Sequence, residues 1–394
     1  MTTPLARTTA IAGIGATDFS KDSGRSELEL AVQATKAALD DAGLTPADVN
    51  GMVSFTMDTN PEIELARALG IPELTYFSRI HYGGGAACAT VLHAAMAVAT
   101  GVADTVVCYR AFNERSGNRF GLGKRPSPTE ASAEAVMRSW YSPFGFITPA
   151  AWVAMFARRY LHTYGATSLD FGKVAVADRK HAATNPAAWF YGKPITLDDH
   201  QASRWIVDPL HLLDCCQESD GAVALVVTSV ERARDLRQPT VAVASAAQGS
   251  WRDQESMTSY YRDDDAMAGL PEMGLVGRQL WAQAGVGPDD IDVAILYDHF
   301  TPFVLVQLEE LGFCGRGEAP GFIDHGNIEL GGGLPVNTHG GQLGEAYIHG
   351  MNGIAEAVRQ LRGSAVNQVD GAEHVLVTAG TGVPTSGLIL AKDG

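Results

Sequence analysis

Positive charge is scarce in this chain. Only 29 Lys and Arg stand against 45 Asp and Glu, a net charge of −16 with histidine neutral. The chain therefore lacks the field that draws proteins to phosphate backbones or anionic lipid, and neither nucleic acid nor a membrane surface is an expected partner. CxxC pairs are also missing. The five cysteines (Cys88, Cys108, Cys215, Cys216 and Cys314) are odd in number, which fits reduced thiols in a cytoplasm rather than a disulfide framework or structural zinc. Long hydrophobic runs are few. The N-terminal MTTPLARTTAIAGIG has neither the apolar core nor the cleavage pattern of an export signal. The uncharged stretch from Tyr82 to Ala103 is rich in Gly and Ala and interrupted by His93, so it reads as a buried helix. His81, His299, His339 and His349 show no i, i+4 ligand spacing, so no metal is expected. Gly13-Ile-Gly15 lacks the third glycine of a dinucleotide fingerprint and reads as a first-strand turn.

With 394 residues, 46% hydrophobic and 19% charged, the chain has enough apolar material for two intimately packed domains. An internal duplication supplies them. Glu27 to Phe55 reads as a helix, a glycine C-cap, a short turn and the strand MVSFT, and the same arrangement returns from Glu272 to Phe300. Laying one over the other at a fixed offset matches Ala42 with Ala284, Gly43 with Gly285, Pro46 with Pro288, Asp48 with Asp290 and Val49 with Ile291. Each half then carries a glycine cluster, an alanine-rich helix and a strand: HYGGGAACATVLHAAMAVATG before ADTVVCYR, and NTHGGQLGEAYIHGMNGIAEAVRQL before EHVLVTAG. Alternating strands and helices predict an α/β fold with mostly parallel sheets, duplicated into a pseudo-twofold layered sandwich. The boundary is set near Arg237, giving halves 1–237 and 238–394. A long insertion at about 112–230 ends in the strand-like GAVALVVTS and is expected to shape a substrate pocket.

These segments resemble the thiolase superfamily, in its lipid-transfer or sterol-carrier-protein branch. The likeness covers nearly the whole chain, through AIAGIGATDFS, RKHAATNPAAWF, PLHLLDCCQESDGAVALVV, IDVAILYDHF and NTHGGQLGEAYIHG. It implies a five-layered thiolase fold. A thiolase acylates a cysteine at the start of its first-half central helix, with histidines and a second cysteine from the other half. Counted back from Gly101, the nucleophile position is Gly84. The family's HDCF motif reads Tyr297-Asp298-His299-Phe300, the histidine of its GHP motif is Tyr347, and no cysteine follows Cys314. Tyrosine at both histidine positions resembles the thiolase-like aldolases of bacterial steroid side-chain degradation. The resemblance implies retro-aldol cleavage of a β-hydroxyacyl-CoA, in the steroid case to a 17-keto steroid and propionyl-CoA. It also implies a homodimer and a DUF35 partner carrying an OB fold and zinc ribbon. No cofactor is expected beyond the coenzyme A of the substrate.

Retro-aldol chemistry needs a base for the β-hydroxyl, a donor for the enolate on the thioester oxygen and a proton for the α-carbon. Tyr297 and Tyr347 are the expected acid and base, and Asp298 is expected to orient its neighbours or to cap the helix beginning near Thr301, while His299 is a further catalytic candidate or a packed histidine. The basic phenol needs a positive neighbour or donor, for which His299, His339 and His349 are candidates. Backbone at Gly84 and Gly85, and at Gly340 and Gly341 beside His339, is the expected oxyanion cradle. Nine aromatics of the insertion, Trp140, Tyr141, Phe144, Phe146, Trp152, Phe156, Trp189, Phe190 and Tyr191, suit a large apolar substrate, a core or a partner surface. One alternative keeps acyl transfer with Cys88 or Cys216 as a displaced nucleophile. Another makes the chain a non-catalytic acyl-CoA-binding or lipid-transfer subunit. Unrelated residues would be expected from drift, and paired tyrosines argue against it.

Overall fold

The structure is a computed structural model that describes residues 5–117, 119, 133–252, 254 and 268–393. Its strands are β1 (Thr9–Ala16), β2 (Gly51–Phe55), β3 (Tyr76–Ile80), β4 (Thr105–Asn113), β5 (Trp205–Val207), β6 (Leu210–His211), β7 (Asp220–Ser229), β8 (Val241–Gly249), β9 (Val293–Ile295), β10 (His374–Ala379) and β11 (Thr385–Lys392). The first-half helices are α1 (Glu27–Ala42), α2 (Glu62–Leu69), α3 (Ala87–Ala99), α4 (Ala133–Tyr141), α5 (Pro149–Tyr164), α6 (Ser168–Thr184), α7 (Leu197–Ala202) and α8 (Val230–Ala233). The second half holds α9 (Pro271–Ala284), α10 (Thr301–Glu310), α11 (Ala319–Phe322), α12 (Gly341–Gly344) and α13 (Met351–Arg362).

The duplication seen in the sequence is a duplication of pairing. In the first half β1 pairs antiparallel with β7, β7 antiparallel with β4, and β4 parallel with β2. The second half repeats this with β8, β11, β10 and β9. The repeated helices end alike: Gly43 caps α1 at φ 76° and Gly285 caps α9 at φ 72°, left-handed conformations that glycine adopts without a Cβ clash. The halves meet edge to edge through Ala10–Ala242 and Ile11–Val241, so hydrogen bonding runs through one nine-stranded sheet, and its pairings are mainly antiparallel rather than mostly parallel as expected, because β7 and β11 return between the βαβ strands.

Alternation along the strands sorts three cores. Val106, Cys108, Val223 and Leu225 from the first half, with Val293, Ile295, Val375 and Val377 from the second, enclose α3 and α13 in a central layer. Their neighbours Val107, Tyr109, Ala222 and Ala224 pack under α1, while Ala294, Leu296 and Leu376 pack under α9 and α10. The layers are therefore helix, strands, helix, strands, helix, as expected of a thiolase fold. Gly13 and Gly15 lie inside β1 and not in a turn. A Cβ on Gly13 would stand 2.1 Å from the Ala38 carbonyl oxygen, and one on Gly15 2.3 Å from that of Ala34, so these glycines let α1 press onto the strand.

The span Tyr82–Ala103 contains α3, only 13 residues long and buried between the halves. Among the described residues no helix is long and apolar enough to cross a membrane. Residues 118 and 120–132 of the insertion lie outside the described residues. Its α6 braces the second half: His181 Nδ1 lies 3.2 Å from the Asn337 carbonyl, and Asn185 donates to the His339 carbonyl and to Glu345, each at 3.0 Å. Of its aromatics, Phe156 packs on Phe303 with ring centroids 4.9 Å apart, whereas Trp140, Phe144 and Tyr191 are exposed.

Candidate active site

Tyr297 follows β9, where the strand is pinned by its backbone. Its N–H donates to Thr378 Oγ1 at 2.9 Å and its carbonyl accepts from Gln307 Nε2 at 2.9 Å, while Thr378 donates to Gln307 Oε1 at 2.6 Å. Tyr347 comes from the loop before α13, held by its N–H to Ser219 Oγ at 3.2 Å and a bridge to Glu218. The two phenolic oxygens are 3.1 Å apart and the rings meet edge on. Burial pushes both phenols well above the ordinary tyrosine range, so both rest protonated.

Gly84, expected from the resemblance at a thiolase nucleophile's position, faces Tyr297. Gly84 lies in the 3-10 turn leading into α3, and a Cβ there would stand 1.7 Å from the Tyr297 oxygen. Cys88, one turn further, is fully buried; its thiol is 3.7 Å from the Val377 carbonyl, and burial raises its pKa. The Cys216 thiol is also raised well above its ordinary value, by burial first and by Glu114 next. Neither is poised as a thiolate, which argues against the displaced-nucleophile alternative.

Asp298 orients backbone. Its carboxylate accepts the N–H groups of Gln342 at 2.8 Å and Leu343 at 3.1 Å, and a Cβ on Gly341 would stand 2.1 Å from its Oδ2. Burial raises Asp298, and raises the neighbouring Asp178 well above the carboxylate range with the Asp298 charge adding to it. Asp178 thus carries a proton beside Asp298.

His299 and His349 rest neutral, so of the two roles expected of them, positive neighbour or donor, only the donor remains. Burial lowers His299 to about 3. Its Nδ1 lies 3.3 Å from Thr381 Oγ1, and its ring stacks on Phe303 and lies 5.0 Å from Tyr297. His349 falls well below the ordinary histidine value through burial and then Arg110, whose Nε donates to its Nδ1 at 3.3 Å. The His349 ring lies 4.7 Å from that of Tyr347. His339 is set deeper, with Nε2 3.8 Å from Glu345 Oε2, and lines a cavity about the size of a water molecule with Tyr297, Asp298, Gln342 and Thr378. Two of the cradle glycines have their N–H groups engaged within the chain, Gly85 to the Tyr82 carbonyl at 3.0 Å and Gly340 to that of Asn337 at 2.7 Å. A Cβ on Gly340 would stand 2.5 Å from that of Ala182, so this glycine serves close packing.

Sequence reasoning missed Arg110, Asp58, Glu114 and Asp178. The signal for Arg110 was present: an arginine inside TVVCYRAF, an otherwise apolar strand, is a buried charge that needs a partner.

Comparison with known proteins agrees with the fold. The thiolase N-terminal domain matches residues 9–231, and the thiolase C-terminal domain-like family matches residues 254–391. The chain belongs to the thiolase family. It is 69% identical over 384 residues to a steroid side-chain-cleaving aldolase of Thermomonospora curvata, covering 98% of both chains. It is 71% identical over 381 residues to the 17-hydroxy-3-oxo-4-pregnene-20-carboxyl-CoA lyase of Mycobacterium tuberculosis, covering 97% of this chain and 98% of that one. The solved Ltp2-ChsH2(DUF35) aldolase superposes with a TM-score of 0.95 at 67% identity over 99% of each chain. Human mitochondrial 3-ketoacyl-CoA thiolase, at 15% identity, shares the fold with a TM-score of 0.69 over 99% of this chain and 100% of that chain.

Proposed function

We propose that this thiolase-family chain cleaves a β-hydroxyacyl-CoA by retro-aldol reaction, with the Tyr297–Tyr347 pair exchanging the proton. The observation that carries the reading is the 3.1 Å contact between the buried Tyr297 phenol and the half-buried Tyr347 phenol, at Gly84, where a side chain has no room. One phenol takes the β-hydroxyl proton as the Cα–Cβ bond breaks and the ketone forms, passing its own proton across the 3.1 Å contact to the other. The other donates to the thioester oxygen as it takes up enolate charge, and a proton returns to the α-carbon. The proton count closes without water or a covalent intermediate. The two relatives near 70% identity support a steroid side-chain CoA thioester bearing a 17-hydroxyl as substrate, with a 17-keto steroid and propionyl-CoA as products.

The DUF35 component in the name of the similar solved aldolase supports a partner of that kind. Edge strand β3, which leaves Phe77 63% exposed, supports pairing with a second copy. Five free cysteines fit a reducing cytoplasm.

The test is release of propionyl-CoA from 17-hydroxy-3-oxopregnene-20-carboxyl-CoA, with and without a co-purified partner, by wild type, Tyr297→Phe and Tyr347→Phe. Cleavage by wild type and a loss of about 10²-fold or more in each variant support the reading. No cleavage with the partner present, or full activity of both variants, leaves an acyl-CoA-holding subunit instead.

A further inference from the structure

Strand β4 alternates, with Val106 and Cys108 facing the central layer and Val107, Tyr109 and Ala111 facing α1. The same period of two puts Arg110, Phe112 and Glu114 on the central face, toward the phenol pair. Arg110 has no exposed surface. Its guanidinium sits 4.2 Å over the Phe112 ring and 3.5 Å from Asp58 Oδ2, and donates through Nη1 to the Ala111 carbonyl at 3.1 Å. Asp58 is fixed in turn by the N–H groups of Ala111 and Asn60, both at 2.9 Å. The guanidinium is thus held by its own strand and by the turn after β2, and its Nε reaches across to His349.

The direction of that hydrogen bond settles the state of the ring. A guanidinium only donates, and it keeps its proton at any pH the protein meets. His349 Nδ1, 3.3 Å from Arg110 Nε, is therefore the acceptor, and the single hydrogen of the imidazole is on Nε2. A second proton on Nδ1 would set two donors and two positive charges face to face in a buried site. The backbone points the same way. His349 has φ +51°, a left-handed conformation unusual for a side chain of this size. Such strain persists where a side chain must be held in one place. That place is against Tyr347, the ring centroids 4.7 Å apart, and Tyr347 meets Tyr297.

We propose that Arg110 is a positioning residue for the reaction, fixing His349 as a neutral imidazole with its hydrogen on Nε2, a donor at the phenol pair that never acts as an acid. The role in catalysis rests on the retro-aldol reading; the state of the ring does not. Among the described residues, the titratable and charged groups near His349 include Arg110 from β4 with Asp58 behind it, His299 following β9 and Tyr347 on its own loop. Among them Arg110 is the cation, and it stabilises negative charge on the phenols through the ring rather than by contact.

The experiment has two arms on the full chain with its partner. In the first, the ¹⁵N spectrum of selectively labelled histidine, assigned with His349→Gln, shows a bare Nδ1 and a protonated Nε2 for His349, unchanged between pH 8 and 6. A hydrogen on Nδ1, or titration in that range, overturns the proposal whether or not the enzyme cleaves anything. In the second arm, kcat/KM is followed against pH. Arg110→Met gains an acid limb that wild type lacks, falling about tenfold per pH unit below its midpoint as His349 takes a proton. Adding His349→Gln removes that limb. A profile for Arg110→Met that matches wild type, or a limb that survives in the double variant, overturns the proposal. Should Arg110→Met fail to fold with Asp58 left unpaired, Asp58→Asn/Arg110→Met takes its place, alone and with His349→Gln. If wild type cleaves nothing, the functional reading falls and the spectrum alone decides the proposal.

Discussion

Gly84 and Tyr297 occupy one volume between them. A Cβ on Gly84 would stand 1.7 Å from the phenolic oxygen and 2.2 Å from the carbon that bears it. Loss of the thiolase cysteine and gain of the tyrosine are therefore one change, since a side chain at Gly84 and this position of the phenol exclude each other. Gly84→Ala is expected to drive the phenol off Tyr347 and to lower cleavage as far as Tyr297→Phe does, at a stability cost of about 1–3 kcal/mol. Adding Tyr297→His relieves the clash, so the melting temperature recovers while activity does not. Full activity in Gly84→Ala would show that the phenol works from another place.

The cysteines separate lyase from transferase chemistry. Cys88 is buried on α3 and Cys216 is flanked by buried acids, and both thiols are raised. Iodoacetamide at pH 7 is expected to leave activity unchanged, and Cys88→Ala to cost about 1–2 kcal/mol of stability with cleavage retained. Rapid inactivation that substrate prevents, mapped to either cysteine by mass spectrometry, would restore a nucleophilic mechanism.

How much of this was readable in the sequence divides along the periods of the chain. Repeated caps at Gly43 and Gly285, and repeated helix-to-strand spacing, gave the duplicated α/β fold, because such features are local. The tyrosine pair was legible only through motif positions, since Tyr297 and Tyr347 belong to different elements and the hydrogen bond joining them has no local signature. Gly13 and Gly15 were misread as a turn, because close approach of a helix later in the chain looks the same in sequence as backbone freedom. That His299 and His349 rest neutral, leaving only the donor half of the expectation, could not be read for a related reason. Neither burial nor Arg110, which lies far from His349 in sequence, shows in the residues around a histidine.

Asp178 and Asp298 form a buried carboxyl pair, and this sets the sign of one pH effect. The folded pKa of Asp178 lies well above the ordinary carboxylate value, so above about pH 4 the native chain holds a proton that the unfolded chain has released. Its contribution is fully present below the unfolded pKa and is lost as pH rises toward the folded one. Asp178→Asn keeps the shape and drops the titration. Its melting temperature is expected to exceed that of wild type by about 2 °C or more at pH 8, with the gain shrinking toward pH 4. A gain equal at both pH values would place the effect in packing.

His299 has the opposite sign. Its folded pKa is about 3, against 6.5 for the ordinary side chain, so between these values the unfolded chain binds the proton and the native chain does not. Stability from this ring is present above about pH 6.5 and is lost as pH falls, by about 1.4 kcal/mol per pH unit for each such histidine. His349 shares the direction, and burial lowers His93 and His181 as well, so wild type is expected to lose at least the slope of these two site histidines between pH 6 and 5. His299→Asn retains a polar group near Thr381 and cannot titrate. Its urea midpoint at pH 7 is expected to fall, because the stack on Phe303 is lost. Its decline from pH 6 to 5 should be shallower than that of wild type by one proton. Equal slopes in the two proteins would mean that His299 is charged in the native state, and the phenol pair would then sit beside a cation that this structure does not give it.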